Sequence, residues 1–342
     1  MAPTHELKGS VSGRGLPLLA RVFTATADGQ FHSGEALATE LGVSRGAIWK
    51  AVRALRVLGA TVHAVPNRGY RVVGAAQPLD AAAILGGILP AMRARVCALT
   101  VAWSVGSTNT VLLERPDPPD GMCEVLLTEH QSAGRGRRGR TWLAPLGGSL
   151  CMSFSWTFRE VPRDLGALGL VIGVCVLRAL RGLGLDSVRL KWPNDVLVEG
   201  RKLAGILIEL RAESEGPACV IVGVGLNVVL GSTILAQIAA SGVAATDLVT
   251  VGMKEPSRNL LAAKVIEASI EGLLQFQKGG LRRFVEEWRE ADALQGQMVD
   301  VRAPEGISRG LARGIDVHGA LMVETPQGLR RFISGDVTVR AR

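Results

Sequence analysis

The apolar positions change period along the chain, and the change marks out three regions. Residues 16–27 carry a short helical pattern. Ser33 stands where it can cap a second helix bearing Ala36, Leu37, Ala38 and Leu41, which Gly42 ends. Ser44 caps a third, with Ile48, Ala51, Val52, Leu55 and Leu58 on one stripe and Gly59 at its close. Two β-like runs follow, 61–65 and 70–73, joined by the turn signal Pro66-Asn67-Arg68-Gly69. Helix, helix, turn, helix and a two-stranded wing predict a winged helix-turn-helix at 15–75, behind a flexible leader at 1–14.

Residues 75–80, around Pro78, read as a linker. The region 76–295 then offers strand patterns at 96–103, 123–129, 149–156, 188–191, 203–210 and 219–226, and helical ones at 109–114, 165–183 and 259–277. Strands fall in adjacent runs as well as alternating with helices, which predicts a mixed sheet flanked by helices. The apolar run 165–185 is broken by Gly166, Gly169, Gly173 and Gly182 and carries Arg178 and Arg181, so a buried helix is expected there and not a membrane span. From 296 to 342 short β runs at 298–302, 308–315, 321–324, 330–333 and 337–340 predict a small, strongly bent sheet or barrel with no chemistry of its own. The fold class is therefore multidomain α+β.

Composition narrows the picture. At 342 residues and 47% hydrophobic the chain is too long for one ordinary core and too apolar for global disorder. The five cysteines, Cys97, Cys123, Cys151, Cys175 and Cys219, are scattered and form no CxxC pair, which fits buried thiols in a cytosol and not a disulfide framework or a zinc site. The net charge of +8 suits an anionic partner, and its placement matters more than its total. Residues 44–71 hold Arg45, Lys50, Arg53, Arg56, Arg68 and Arg71 and no acid. Arg45, Trp49, Arg53 and Arg56 share the helix face opposite the apolar stripe, as an element entering a major groove requires. DNA binding is expected through Ser44, Arg45, Trp49, Lys50, Arg53 and Arg68. A solvated basic face is the alternative, and Trp49 can equally be a packing residue.

A second basic segment, Gly134-Arg135-Gly136-Arg137-Arg138-Gly139-Arg140, satisfies GxGxxG literally. It does not leave a strand directly, no helix follows, and its arginines would crowd a pyrophosphate turn, so a dinucleotide fold is excluded; no GxxxxGK[ST] is present either. What remains is a flexible loop of fixed cations, mobile when empty and ordered by an anion, or a further nucleic-acid contact. Lys191-Trp192-Pro193-Asn194-Asp195 places a lysine at a strand end before a tight turn, where it can point into a site or simply face solvent. Ser107-Thr108-Asn109 at a helix start is either an N-cap or a small polar ligand site. Gly223-Val224-Gly225-Leu226-Asn227 allows close backbone approach, or plain sheet packing.

Taken together these clusters, with Gln131 to Trp142, Lys202-Leu203-Ala204-Gly205-Ile206-Leu207 and Gly314-Ile315-Asp316, closely resemble the biotin protein ligases, and residues 33–73 resemble the DNA-binding domain of the family's bifunctional repressors. The resemblance spans roughly 16–340. It implies a central ligase domain of class II synthetase-like type and an SH3-like C-terminal barrel. It implies biotin and ATP as substrates with Mg2+, biotinyl-5′-AMP as intermediate, and transfer to a lysine of the biotin carboxyl carrier protein of acetyl-CoA carboxylase. By similarity Ser107, Thr108, Asn109, Gln131, Arg135, Gly136, Arg137 and Lys191 hold biotin. Arg135, Arg137, Trp142, Lys191, Asn194, Asp195 and Asn227 serve ATP or the adenylate, and Lys191 with Arg137 supplies the catalytic charge. An adenylate-bound homodimer on operator DNA, in a cytoplasmic protein without membrane contact, completes the expectation. Ser334-Gly335-Asp336, where relatives often have Gly-Gly-Glu, is expected not to touch the site. A ligase with a non-regulatory basic domain, a non-catalytic sensor and a lipoate or octanoate transferase are the alternatives.

Overall fold

The computed structural model describes residues 16–73, 77–212, 217–254, 256–304 and 306–339; the leader, the first residues of the linker and Arg340 lie outside them. Helices α1 (Leu18–Thr26), α2 (Gly34–Leu41) and α3 (Arg45–Val57) pack through Val22, Phe23, Leu37, Ile48, Val52 and Leu55. Ser33 and Ser44 cap α2 and α3 with their hydroxyl oxygens, accepting from Ala36 and Ala47 N–H. Strands β1 (Val62–Val65) and β2 (Gly69–Val72) form the antiparallel wing. Gly69 has φ +103°, and a Cβ there would meet His32 O at 1.9 Å, so only glycine lets the wing close on His32.

Asp80, read as linker, instead caps α4 (Ala81–Gly86), and α5 (Pro90–Arg93) follows. Next come β3 (Val96–Val105), α6 (Thr108–Leu113), β4 (Cys123–Gln131), β5 (Ser149–Phe158), α7 (Leu168–Gly182), β6 (Val188–Lys191), β7 (Asp195–Val198), β8 (Arg201–Ala212) and β9 (Ala218–Asn227). Helices α8 (Gly231–Ala240), α9 (Arg258–Gly279) and α10 (Val285–Glu290) close this part. The sheet runs β3-β4-β5-β9-β8-β7-β6; β3 and β4 are parallel and every other pair is antiparallel, the mixed sheet that the strand pattern predicts. Strand β7 differs from expectation: its first residue, Asp195, reads as the end of the turn at 193–195, and 196–198 carry no strand assignment; pairing Lys191 with Asp195 makes it the return arm of a hairpin.

One face of the sheet packs on α7 and α9 through Met152, Phe154, Trp156, Val222, Val224, Val171, Val174, Ile266, Leu273 and Phe276. Burying each such side chain contributes roughly 1.5–3 kcal/mol. The stretch Leu165–Gly182 is apolar and long enough to cross a membrane, yet 67% of it is buried inside this core. The other face carries α6 over Leu126, Cys219 and Ile221 and is otherwise open. A buried ion pair, Arg258 to Glu129 at 2.6 Å, ties the chain entering this region to the core. Arg258 also donates to Gln77 O, and Glu129 accepts from Leu79 N–H. Deleting either partner strands a buried charge, a loss of about 3–5 kcal/mol.

Strands β10 (Met298–Ala303), β11 (Gly306–Ile315), β12 (Leu321–Thr325), β13 (Gly328–Phe332) and β14 (Asp336–Val339) form an antiparallel sheet of order β13-β12-β11-β10-β14. Trp192, 2% exposed, donates its indole N–H to Gly319 O at 3.0 Å and anchors this sheet to the β6–β7 hairpin. At the other end, Leu146 lies buried among the winged-helix side chains, its N–H donates to Leu58 O at 2.9 Å, and Trp103 tilts against Phe23 at 5.6 Å.

Candidate functional site

Strand alternation places Gly205, Leu207, Gly223, Gly225, Cys151 and Ser153 on the open face of the sheet. The two glycines of β9 make room for the protein's own side chains. A Cβ on Gly223 would stand 2.3 Å from Asn109 Oδ1, and one on Gly225 would stand 2.4 Å from the Trp142 ring. The close approach expected at Gly223–Asn227 is therefore to Asn109 and Trp142. Above this floor opens a cavity of about 1590 Å³. That is more than the roughly 300–1,000 Å³ usual for one small ligand, and it leaves room for two reactants.

Ser107, Thr108, Asn109, Gln131, Arg135, Gly136, Arg137, Trp142, Lys191, Asn194, Asp195 and Asn227 all line it. Arg135 and Lys191 thus share one cleft. The polar end is built on the start of α6. Ser107 occupies the N-cap position, but its hydroxyl makes no capping bond. Gln131 replaces it, accepting from Thr108 N–H at 2.9 Å through Oε1. Ser153 Oγ stands 2.5 Å from Asn109 Oδ1 and 2.6 Å from Thr108 Oγ1.

The arginine segment forms a small hairpin, closed by Trp142 N–H to Gly134 O and Gly136 N–H to Arg140 O. Arg138, at φ 55°, and Gly139, at φ 73°, turn its tip. The four guanidinium groups are not held alike. Arg135 pairs with Glu209 at 2.9 Å, while Arg138 and Arg140 both pair with Asp336 of β14. Among the described residues, Arg137 donates only to the neutral amide oxygen of Asn194, at 3.4 Å. Burial lowers the Arg137 pKa, with Asp336 opposing.

Lys191, at the end of β6, has no ion pair within 4.0 Å among the described residues. Burial holds its ammonium below the ordinary lysine value, against an upward pull from Asp195. Asp195 itself pairs with Lys202 at 2.6 Å, and Lys202 sits 5.6 Å from the Trp142 ring centroid. Asn194 and Asn227 are partly committed: Asn194 Nδ2 donates to Ile206 O, and Asn227 Nδ2 to Thr246 O. Cys151 lines the cavity, but burial pushes its thiol up to about 12, so it presents a neutral S–H. Among the described residues no group of three or more His, Cys, Asp or Glu is arranged to hold a metal ion.

Two expectations need correcting. Asp336 lines the cavity and holds two loop arginines, so the Ser334-Gly335-Asp336 departure does touch the site. The C-terminal sheet, expected to be inert, supplies Asp300, Arg302, Ile307 and Val337 to the wall as well. Sequence motifs passed over Glu209 and Ser153; the available signal was strand alternation, which puts Ser153 opposite Gly223 and Glu209 on the same face of β8 as Gly205.

On α3, Arg45, Trp49, Lys50 and Arg53 are exposed, and Arg53 lies over the Trp49 ring at 4.8 Å. Arg68 and Arg71 flank Phe31 at the wing, at 4.5 and 4.6 Å. Among the described residues, no ion pair engages Arg45, Lys50, Arg53 or Arg68. Arg56 differs from expectation: its guanidinium donates to Val62 O at 2.8 Å and braces the wing.

Residues 102–227 match the Biotin/lipoate A/B protein ligase family, 25–71 an HTH domain and 295–340 the Biotin protein ligase C terminal domain. The chain is 34% identical over 322 residues to the Bifunctional ligase/repressor BirA of Escherichia coli (strain K12), covering 94% of this chain and 97% of that one. It is 34% identical over 247 residues to the Biotin--[acetyl-CoA-carboxylase] ligase of Mycobacterium tuberculosis (strain ATCC 25618 / H37Rv), covering 70% of this chain and 88% of that one. Among solved structures, the biotin protein ligase from Aquifex aeolicus in complex with biotin and ATP superposes with a TM-score of 0.59 at 29% identity, over 71% of this chain and 99% of that one.

Proposed function

The chain belongs to the family of bifunctional biotin protein ligases and repressors, and from that membership we propose how its residues divide the work. It is an ATP-dependent biotin ligase. The biotin carboxylate attacks the α-phosphorus of ATP and pyrophosphate leaves. The ε-amine of a lysine on the carrier protein of acetyl-CoA carboxylase then attacks the acyl carbon, and AMP leaves. No side-chain nucleophile is needed, which suits a cavity whose thiol is held neutral.

One observation carries the assignment: Arg137 and Lys191, cations without a carboxylate partner among the described residues, stand in the wall of a cavity large enough for both reactants. Two anions must meet there, and fixed, partly desolvated cations offset their repulsion and the charge that builds at phosphorus. Lys191 bridges carboxylate and α-phosphate, and Arg137 of the loop covers the adenylate. Ser107, Thr108, Asn109 and Gln131 take the ureido ring, with Arg135 and Gly136 closing over it. Trp142 flanks the adenine, and Asn194, Asp195 and Asn227 lie on the nucleotide side. Magnesium ordinarily binds through one or two carboxylates plus substrate phosphates, so Asp195, the one carboxylate among the proposed site residues, would help to hold it with the triphosphate, and it would supply charge neutralisation there.

The central sheet is assigned to the class II synthetase-like type and the C-terminal sheet to an SH3-like barrel, with boundaries at 15–75, 76–295 and 296–342. The winged helix docks on operator DNA through Ser44, Arg45, Trp49, Lys50, Arg53 and Arg68, as an adenylate-induced homodimer in the cytoplasm. Its unpaired cations support that role. Purified chain, labelled biotin, ATP and a carrier domain test the ligase: label should appear on one carrier lysine, and a protein that retains biotin but transfers nothing is a sensor instead. Competition by lipoate would expose the transferase alternative. A mobility shift of the upstream DNA that ignores biotin and ATP would leave the ligase and remove the repressor.

A further inference from the structure

We propose that Glu209 is a positioning residue for the acid-binding end of the cavity; the proposal rests on the ligase reading above. Glu209 follows Leu207 on the open face of β8 and lies behind Asn109, outside the cavity wall. Its side chain is 18% exposed, and its two oxygens serve two different elements. Oε2 accepts from Asn109 Nδ2 at 2.9 Å, and Oε1 pairs with Arg135 Nη2 at 2.9 Å. Arg135 is held from a second side by Thr110 Oγ1 at 3.2 Å, so helix α6 and the arginine hairpin meet on one carboxylate.

The chemistry of that carboxylate sets the orientation of Asn109. An ionised carboxylate only accepts, so it draws the amide NH2 group. The amide oxygen is then turned to Ser153 Oγ and to the bare backbone of Gly223. Ser153 continues to Thr108, whose backbone N–H donates to Gln131 Oε1 at 2.9 Å. A run of hydrogen bonds thus leads from one acid to every polar group proposed for the ureido ring except Ser107. The same acid fixes the first arginine of the loop that closes over it. Asn109 and Arg135 touch the ligand; Glu209 acts through them.

Glu209→Gln keeps an acceptor for Asn109 but has no charge for Arg135. Glu209→Ala removes both, and Glu209→Asp keeps the charge at shorter reach. Glu209→Ala is expected to raise KM for biotin and speed adenylate release by about tenfold or more, with KM for ATP held within about twofold. Glu209→Gln should show a smaller effect that vanishes in an Arg135→Ala background, since the two residues form one pair. Glu209→Asp should recover part of the biotin affinity. Thermal midpoints are measured in parallel, and if Glu209→Ala does not fold, Glu209→Gln and its double-mutant cycle carry the test. Wild-type biotin and adenylate kinetics in all three variants, or equal changes in KM for biotin and for ATP, overturn the proposal. Failure of the wild-type chain to bind biotin is a different result, which sinks the ligase reading itself.

Discussion

Arginine appears in two dense groups on this chain, in opposite surroundings. On α3 and the wing, Arg45, Lys50, Arg53 and Arg68 stand without a carboxylate partner among the described residues, with Arg53 resting on the Trp49 ring and Arg68 on Phe31. In the 135–140 hairpin three of four guanidinium groups are clipped by carboxylates from other elements, and Arg137 is half-buried beside a neutral amide. The first arrangement suits a long polyanion, where affinity comes from many weak, salt-sensitive contacts. The second suits a small anion, where fixed geometry and partial desolvation make one cation decisive. The same residue type serves both because its surroundings differ, and each arrangement predicts a different response to mutation, pH and salt.

The largest effect should come from the buried group. Lys191→Ala is expected to slow adenylation by about 10³-fold, near the magnitude for loss of one preorganised charge-stabilising donor. The thermal midpoint should stay near wild type. Near-normal pyrophosphate release would break the contrast, since Lys191 would then be one more peripheral cation. Arg137→Ala comes next: the adenylate should dissociate about 10–100-fold faster, on the scale of one charge-assisted hydrogen bond lost from a part-buried site. An unchanged release rate would transfer its role to a neighbouring arginine.

The DNA surface should respond more gently. Arg53→Ala is expected to weaken DNA binding severalfold, uniformly across sequences, and to reduce the slope of log affinity against log salt by about one. Ligase activity should be untouched. A variant that relaxed preference at a single base pair, with no change in slope, would show that Arg53 reads a base edge instead.

The smallest signal is a displaced pH limb. Lys191 acts as a cation, and burial lowers its pKa from the ordinary 10.5. Its charge is therefore lost as pH rises through a value below 10.5. Adenylation should fall along that alkaline limb. A limb at or above 10.5 in the pyrophosphate-release profile would mean that the site is wetter than its burial implies.

Much of this was legible in the chain. The caps at Ser33 and Ser44, the stripe of Ile48, Val52 and Leu55, and most central strands follow from local periodicity. So does the clustering of glycine with arginine at 134–140. Strand β7 and helices α4, α8 and α10 escaped because they are short or weakly patterned, and tertiary packing rather than local preference forms them. Lys191 and Trp142 were visible as motif residues; Asp336 was visible but expected away from the site, and Glu209 was not visible at all. An isolated acid in a strand carries no local mark of its partner.

What the sequence alone determined is most of the helices, strands and turns, which depend on neighbours a few residues away, and which side chains can carry charge. Only the tertiary structure decided which arginines are neutralised and which are left to meet a ligand. It also showed that Gly223 and Gly225 seat Asn109 and Trp142, and that the C-terminal sheet forms part of the cavity wall. The physical reason is range. A hydrogen-bonded turn is set within four or five residues, but the pairing of Arg140 with Asp336 joins groups 196 residues apart, and nothing local in the chain encodes it.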